Sequence, residues 1–181
     1  MMNANVELYT DGACCDNPGQ GGWAFLLIDP ASQTEIECYG AELMQTTNQR
    51  MELVAAIKGL SRIKHRSHVE LFADSEYLGK GLTEWLPKWK ANRWRSGKRG
   101  KGKPVANADL WRELDELARF HTVGYRKVTA HTGQFHNERV DRLAESAAAN
   151  AAQTMKAIAG MSRQSDSNRR PADYESAALP A

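Results

Sequence analysis

Four acidic residues stand where strands end or helices begin, which are positions from which a protein can gather carboxylates into one site. Asp11 and Asp74 each follow a short apolar strand pattern. Glu52 and Asp141 lie in the opening turns of predicted helices. Because neighbouring parallel strands end at the same edge of a sheet, these side chains can converge there. Clustered carboxylates repel one another unless a cation neutralises them, and oxygen ligands favour Mg²⁺ or Mn²⁺ over zinc. The pattern therefore indicates a divalent-metal site.

Each of these residues also has an ordinary structural explanation. Aspartate is a frequent turn residue after a strand, and the helix dipole favours acidic residues near a helix N-terminus. His131, in TAHTGQFHNER, follows a strand pattern and precedes a helical one. A histidine in such an exposed loop can exchange protons near neutral pH, or it can be a surface residue. Only the combination of acids and histidine in one ordered pattern favours chemistry.

The elements that must position these residues follow from hydrophobic periodicity. The pattern predicts three strands, then a helix, and then alternating strands and helices, with the first strand becoming central. That order is typical of an α/β domain in which helices cover a mixed sheet. The predicted strands are residues 6–10, 23–28, 35–43, 69–73 and 123–129, and the predicted helices are residues 47–62, 83–89, 109–120 and 137–156.

Positive charge is concentrated in one segment of the chain. Eight of the 24 basic residues lie between Pro87 and Pro104, where there is no acidic residue. The remaining 16 basic residues face 22 acidic ones, so the rest of the chain carries a formal charge of −6. This basic arm indicates a polyanionic partner, although a membrane surface or a solvated loop would also suit it.

Length and composition limit the class of protein. With 181 residues, 41% of them hydrophobic and 25% charged, the chain suits one globular domain. No apolar run approaches the about 20 residues of a membrane span, and the start of the chain shows no export signal, so we expect a cytoplasmic protein with reduced cysteines. We expect the domain to cover residues 1–156, with a basic protrusion at about 85–104. Residues 157–181 lack apolar periodicity after Gly160 and are expected to be a disordered tail.

Five separated stretches of the chain stand in an ordered pattern. They are, in order, YTDGACCDNPGQGGWAFLL, TTNQRMELVAAIKGL, FADSEYLGKGLTEWLPKW, NADLWRELD and TAHTGQFHNERVDRLAE. On these stretches the chain resembles type 1 ribonuclease H, the enzymes that cut RNA in RNA/DNA hybrids, and in particular the bacterial members. The resemblance implies a ribonuclease H-like fold, a five-stranded mixed sheet in the order 3-2-1-4-5 with helices on both faces. It also implies a monomeric endoribonuclease that leaves 5′-phosphate and 3′-hydroxyl ends.

The resemblance also assigns roles within the acidic pattern. Two Mg²⁺ ions, with Mn²⁺ as a candidate substitute, would hold the scissile phosphate, activate water and stabilise the leaving 3′ oxygen. The loop histidine of the family falls on His131, which would help proton movement or product release. The metal-binding acids of the family fall on Asp11, Glu52, Asp74 and Asp141.

Substrate contacts are implied by position as well. Distinguishing a hybrid requires sensing the 2′-hydroxyls on one strand only. Asn17 and Thr47 also suit a turn and a helix cap, and Trp85 also suits a protein core. The family positions near the RNA ribose fall on Cys14, Asn48 and Gln49, and those of a pocket for a DNA phosphate on Asn17 and Thr47. The protrusion of bacterial members matches the arm with Trp85, Lys88, Trp89, Lys90, Arg93, Lys98 and Arg99.

The chain departs from the family pattern at two positions, of which Glu76, near the proposed metals, leaves the metal preference open. Glu76 stands where many relatives carry a neutral amide, and Gln49 where bacterial members commonly carry asparagine. Two other functions also remain open on the sequence: a module that grips hybrids or double-stranded RNA without cutting, and a nuclease or transposase-like enzyme of the same fold that acts on DNA.

Overall fold

A five-stranded mixed sheet forms the centre of the molecule. The structure is a computed structural model, and it describes residues 5–97, 101–129 and 134–167. The sheet order is β3-β2-β1-β4-β5, with antiparallel pairing among β1, β2 and β3 and parallel pairing of β1 with β4 and of β4 with β5. This confirms the predicted sheet. The strands are β1 (Asn5–Cys14), β2 (Gly19–Asp29), β3 (Thr34–Thr46), β4 (His68–Ala73) and β5 (Thr122–Lys127).

Side chains in cap positions start two of the helices, one of them at Thr47, which the sequence also suited to a cap. Thr47 Oγ1 accepts a hydrogen bond from the Arg50 amide, and Ser75 Oγ accepts one from the Leu78 amide. The helix predicted at residues 83–89 is instead part of three consecutive short pieces. None of the helices in the described ranges is both long and apolar enough to cross a membrane. The helices are α1 (Asn48–Arg62), α2 (Glu76–Lys80), a π-helical turn (Gly81–Trp85), α3 (Leu86–Ala91), α4 (Ala108–Phe120) and α5 (Phe135–Ser167).

Apolar side chains fill both faces of the sheet, as the predicted architecture requires. On one face α1 and α4 pack on each other, and α1 covers β1 and β2. On the other face α5 lies across β1, β2 and β3. Alternation along β2 directs Phe25 and Leu27 to the first face and Leu26 to the second. The first core includes Leu8, Leu53, Leu71, Trp111 and Leu114, and the second includes Ala24, Leu26, Ile28, Val140 and Ala144.

β1 extends beyond its predicted end at Thr10. Its parallel pairing with β4 stops at Tyr9 opposite Phe72, but its antiparallel pairing with β2 continues to Cys14 opposite Gly21. The prediction was wrong because the aspartate and glycine that follow Thr10 resemble a turn, whereas the neighbouring strand keeps them extended. Asp11 therefore lies where the sheet separates between β1 and β4.

The last helix is also longer than predicted. α5 continues to Ser167, so residues 157–167, which we expected to belong to the tail, are helical. Ile158 and Met161 are exposed in this part of α5, so packing against the core does not explain the extension. The run AAQTMKAIA, residues 151–159, consists largely of strong helix formers, which accounts for the helix as far as Ala159. Residues 168–181 lie outside the described residues.

A glycine in β2 sets the distance between the sheet and α5. A Cβ at Gly22 would overlap the carbonyl oxygen of Ala144 and approach the amide nitrogen of Ala148 to 2.5 Å. Both groups belong to the helix backbone, which cannot move aside as a side chain can. Only glycine lets α5 lie this close to β2.

We expect Gly22→Ala to lower the free energy of unfolding by about 1–3 kcal/mol, because the added methyl group forces α5 away from the sheet. Urea denaturation measures the change. Gly160→Ala is the matched control, since nothing lies within 4 Å of its added Cβ and alanine favours a helix over glycine by up to about 1 kcal/mol. Equal stability of Gly22→Ala and the unchanged protein would contradict the close approach.

Candidate active site

The four predicted acids surround one open cleft of about 440 Å³ at the edge where β1 and β4 separate. Asp11 lies in β1, Glu52 near the start of α1, Asp74 directly after β4 and Asp141 near the start of α5. One carboxylate oxygen from each of Asp11, Glu52 and Asp74 lies within 4.8 Å of the other two. Asp141 lines the same cleft but does not belong to this tight set. The expected convergence of the acids is therefore observed.

Close packing brings two of these acids together. A Cβ at Gly12 would overlap the backbone of Met51 and Glu52, so glycine lets α1 lie directly against β1. Met51 and Leu53 are buried on either side of Glu52 and anchor this part of the helix. The sequence suggested a turn at Gly12. Its actual role is to permit the approach that places Glu52 beside Asp11.

Burial and mutual repulsion raise the pKa of the central acids. Asp11 is only 8% exposed, and burial, followed by the charges of Asp74 and Asp141, raises its pKa to about 7. Burial and then the charge of Asp11 hold the pKa of Glu52 well above its usual value. Glu52 Oε2 is buried and has no hydrogen-bond partner among the described residues. A divalent cation would satisfy this oxygen and offset the repulsion, so the donor set suits a metal ion.

Sequence reasoning missed one further acid in the cleft. Glu145 lies one helical turn after Asp141, lines the same cleft and contributes to the raised pKa of Asp11. Residues four apart in a helix share a face, so the spacing of these two acids was the signal that would have identified it.

The negative charge of Glu76 is neutralised within the fold. One carboxylate oxygen accepts a hydrogen bond from Lys80 Nζ and the other from Lys127 Nζ, each at 2.9 Å. These two bonds, with that of Lys80 the larger influence, lower the pKa of Glu76 to about 2. Lys127, which sequence reasoning did not single out, therefore offsets the charge of Glu76 together with Lys80.

A hydrogen bond joins two of the residues predicted to contact the nucleic-acid strands. Asn17 Oδ1 accepts a hydrogen bond from the Asn48 amide at 3.2 Å, which links the loop after β1 to the start of α1. Cys14 Sγ donates to the Thr46 carbonyl at 3.4 Å, and both Cys14 and Asn48 line the acid cleft. Gln49 is exposed beside them. Cys14 and Asn48 therefore lie on one rim of the cleft, and Asn17 is bonded to that rim through Asn48.

The arm is anchored to the domain through its aromatic side chains. The ring of Trp89 lies 5.3 Å from that of the fully buried Trp111 and 5.5 Å from that of Trp85. Lys90 Nζ donates to the buried Asp115 at 2.9 Å, so its charge is paired with an acid of the domain. The exposed side chains include Lys88 and Arg93. Three other predicted site residues, Lys98, Arg99 and His131, lie outside the described residues.

Comparison with known proteins shows similarity over most of the chain. The family model described as RNase H matches residues 3–149. A protein of Marinobacter nauticus named Ribonuclease H is 49% identical over 144 residues, which cover 79% of this chain and 93% of that protein. One of the same name from Pseudomonas fluorescens is 47% identical over 143 residues, covering 79% and 91%. The crystal structure of LC9-RNase H1, a type 1 RNase H with the type 2 active-site motif, superposes with a TM-score of 0.72 at 26% identity, covering 83% of this chain and 75% of that one.

With divalent metals chelated, we expect the free energy of unfolding to fall as the pH rises from about 4 to 7. The pKa of Asp11 is about 7 in the folded protein against an ordinary value of 3.8, so the folded state holds more protons across this window. Each extra proton contributes a slope of at most about −1.4 kcal/mol per pH unit. Asp11→Asn should flatten the slope, and so should Mg²⁺ added to the unchanged protein. Urea denaturation at several pH values measures the slope. Identical slopes for the unchanged protein and Asp11→Asn, both with metals chelated, would contradict the raised pKa of Asp11.

Proposed function

This chain belongs to the ribonuclease H family, and from that premise we propose that it hydrolyses the RNA strand of RNA/DNA hybrids with Mg²⁺ held at the acid cleft. The observation that carries the proposal is the approach of one carboxylate oxygen from each of Asp11, Glu52 and Asp74 to within 4.8 Å of the other two. The buried Oε2 of Glu52, which has no hydrogen-bond partner among the described residues, supports it. Under this proposal the catalytic domain, residues 1–156, acts as a cytoplasmic monomer. The residues that would hold the metal are Asp11, Glu52, Asp74 and Asp141.

The donor set supports the choice of metal. All four proposed ligands are carboxylates, which favour Mg²⁺ or Mn²⁺ over softer ions. A bound pair of such ions supplies an activated water and stabilises the leaving 3′ oxygen. Because the internal ion pairs of Glu76 neutralise its charge, this departure from relatives adds little net negative charge beside the cleft. We therefore propose Mg²⁺ as the resident ion, with Mn²⁺ able to replace it.

The chain's own residues would then perform two tasks. The rigid positions of Asp11 in β1 and Glu52 in α1 keep the metal ligands close before substrate arrives. His131, whose role rests on the resemblance alone, would help proton movement or product release. Loss of an acid should therefore harm the reaction far more than loss of the histidine. The products would carry 5′-phosphate and 3′-hydroxyl ends.

Recognition of the hybrid is assigned to the rim of the cleft and to the arm. We assign Cys14, Asn48 and Gln49 to the RNA ribose side, and Asn17 and Thr47 to a phosphate of the DNA strand. The hydrogen bond between Asn17 and the Asn48 amide supports this assignment, because it fixes the two halves of the rim relative to each other.

The arm would supply phosphate and deoxyribose contacts. Packing fixes the rings of Trp85 and Trp89, and both remain partly exposed, so their accessible faces can meet a sugar. Because Lys90 forms an ion pair with Asp115, we assign it to holding α3 against α4 and not to a phosphate contact. The phosphate contacts then fall on Lys88, Arg93, Lys98 and Arg99.

We expect Asp74→Asn to reduce cleavage of a labelled RNA/DNA hybrid by more than about a hundredfold, because even indirect partners of metal ligands contribute 10- to 100-fold. Asp29→Asn is the matched control: Asp29 closes the turn after β2, away from the cleft, and should keep full activity. The same assay should include RNA duplex and DNA duplex, with Mg²⁺ or Mn²⁺. Full activity of Asp74→Asn would contradict the assignment. Binding of the hybrid by the unchanged protein without cleavage would favour a binding module, and cutting of DNA duplex would favour a DNA nuclease.

Neutralising positive charges of the arm should weaken binding of the hybrid and make that binding less sensitive to salt. For the double variant Lys88→Gln and Arg93→Gln we expect a higher KM for the hybrid, an unchanged kcat, and a logarithmic salt slope that is smaller by about 0.7–0.9 for each phosphate that the arm no longer neutralises. The measurement is KM at several salt concentrations between about 50 and 200 mM. Lys64→Gln, which alters a lysine between α1 and β4, is the control. A salt slope equal to that of the control would show that the arm does not contribute to recognition of the hybrid.

A further inference from the structure

One side chain of β5 reaches the backbone on both sides of Asp74. The Tyr125 hydroxyl lies 3.0 Å from the carbonyl oxygen of Ala73 and 3.0 Å from that of Ser75. These are the residues immediately before and after Asp74. A single hydroxyl proton is thus shared between two carbonyl groups that flank one proposed metal ligand.

Each of these carbonyls also accepts a backbone hydrogen bond from a different element. The Ala73 carbonyl accepts from the Val128 amide, just beyond β5, at 3.1 Å, and the Ser75 carbonyl accepts from the Gly79 amide of α2 at 3.0 Å. Asp74 itself lies between β4 and α2 and belongs to neither. The Tyr125 hydroxyl is the group that joins the two anchors, and it therefore fixes the segment relative to β5.

The surroundings of Tyr125 keep its ring and its proton in place. The parallel register sets Tyr125 opposite Leu71, and a Cβ at Gly79 would overlap the tyrosine ring, so glycine in α2 leaves room for it. Burial, followed by the charges of Glu52 and Asp74, raises the pKa of Tyr125 to about 12. At neutral pH the hydroxyl is therefore a hydrogen-bond donor.

We propose that Tyr125 is a positioning residue that holds the Asp74 carboxylate within reach of Asp11 and Glu52. This inference rests on the proposed function, since it concerns the readiness of the acid cleft to bind metal. The ring alone would fill the same space, so the hydroxyl is the part that positions Asp74. Without it, the two backbone anchors remain, but the hydrogen bonds from one side chain to both carbonyls are lost.

The test is Tyr125→Phe, which keeps the ring and removes the hydroxyl. Mg²⁺ binding is measured by titration calorimetry without substrate, and kcat and KM are measured on a labelled hybrid. We expect the Kd for Mg²⁺ to rise about tenfold, the low end of the range for indirect partners of metal ligands, because both backbone bonds persist. The Mg²⁺ concentration for half-maximal rate should rise with it, and kcat should fall at subsaturating metal. KM for the hybrid should stay unchanged.

Ser67→Ala is the matched control. The Ser67 hydroxyl is buried and donates to the His65 carbonyl at 3.0 Å, just before β4 and at the opposite end of that strand from Asp74. We expect Ser67→Ala to lower the free energy of unfolding and to leave the affinity for Mg²⁺ unchanged. An unchanged Kd in Tyr125→Phe, or an equal change in Ser67→Ala, would overturn the positioning role. Failure of the unchanged protein to cut the hybrid would instead contradict the proposed function, so the two failures are distinguishable.

Discussion

Repulsion among carboxylates that are partly removed from water is the constraint on which the structure around the cleft depends. Asp11 and Glu52 would separate if they lay on mobile segments, because like charges in a poorly solvated place disfavour each other strongly. The fold prevents this by placing Asp11 inside β1 and Glu52 inside α1, and by packing these two elements backbone against backbone at Gly12. The energy that holds the acids together thus comes from the apolar cores on the two faces of the sheet.

The topology of the sheet decides where such a site can form. β1 is paired on one side with the antiparallel β2, which continues to Cys14, and on the other with the parallel β4, which ends sooner. The gap beyond Tyr9 and Phe72 is the crevice at the carboxyl ends of strands where open α/β sheets commonly bind ligands. Helices from both faces border this crevice, since α1 covers one face and α5 the other. The cleft therefore draws its acids from four separate parts of the chain.

Local patterns could predict the elements but not all of the contacts between them. The strands, α1 and its Thr47 cap were evident from periodicity and cap chemistry, and the family resemblance placed the four acids. The roles of Lys127 and Tyr125 depend on how β5 lies beside β4, a long-range register that no local spacing shows. The length of α5 was misjudged because its last turns carry exposed side chains such as Ile158 and Met161, so no apolar period marks them in the sequence. His131, Lys98 and Arg99 stay predictions, as does the monomeric state.

The direction of the pKa shifts separates two kinds of acid in this chain. Lys80 and Lys127 lower the pKa of Glu76, and Arg50 lowers that of Asp109, so these carboxylates are satisfied by cations of the protein itself. The pKa values of Asp11 and Glu52 move the opposite way, because burial and further acids dominate their surroundings. A fold selected only for stability would have little reason to keep such a group, since replacing it with apolar residues would remove the repulsion. The cluster becomes favourable once a cation from outside the chain supplies the missing positive charge, which is why a raised pKa at a cleft points to a binding function rather than to a structural one.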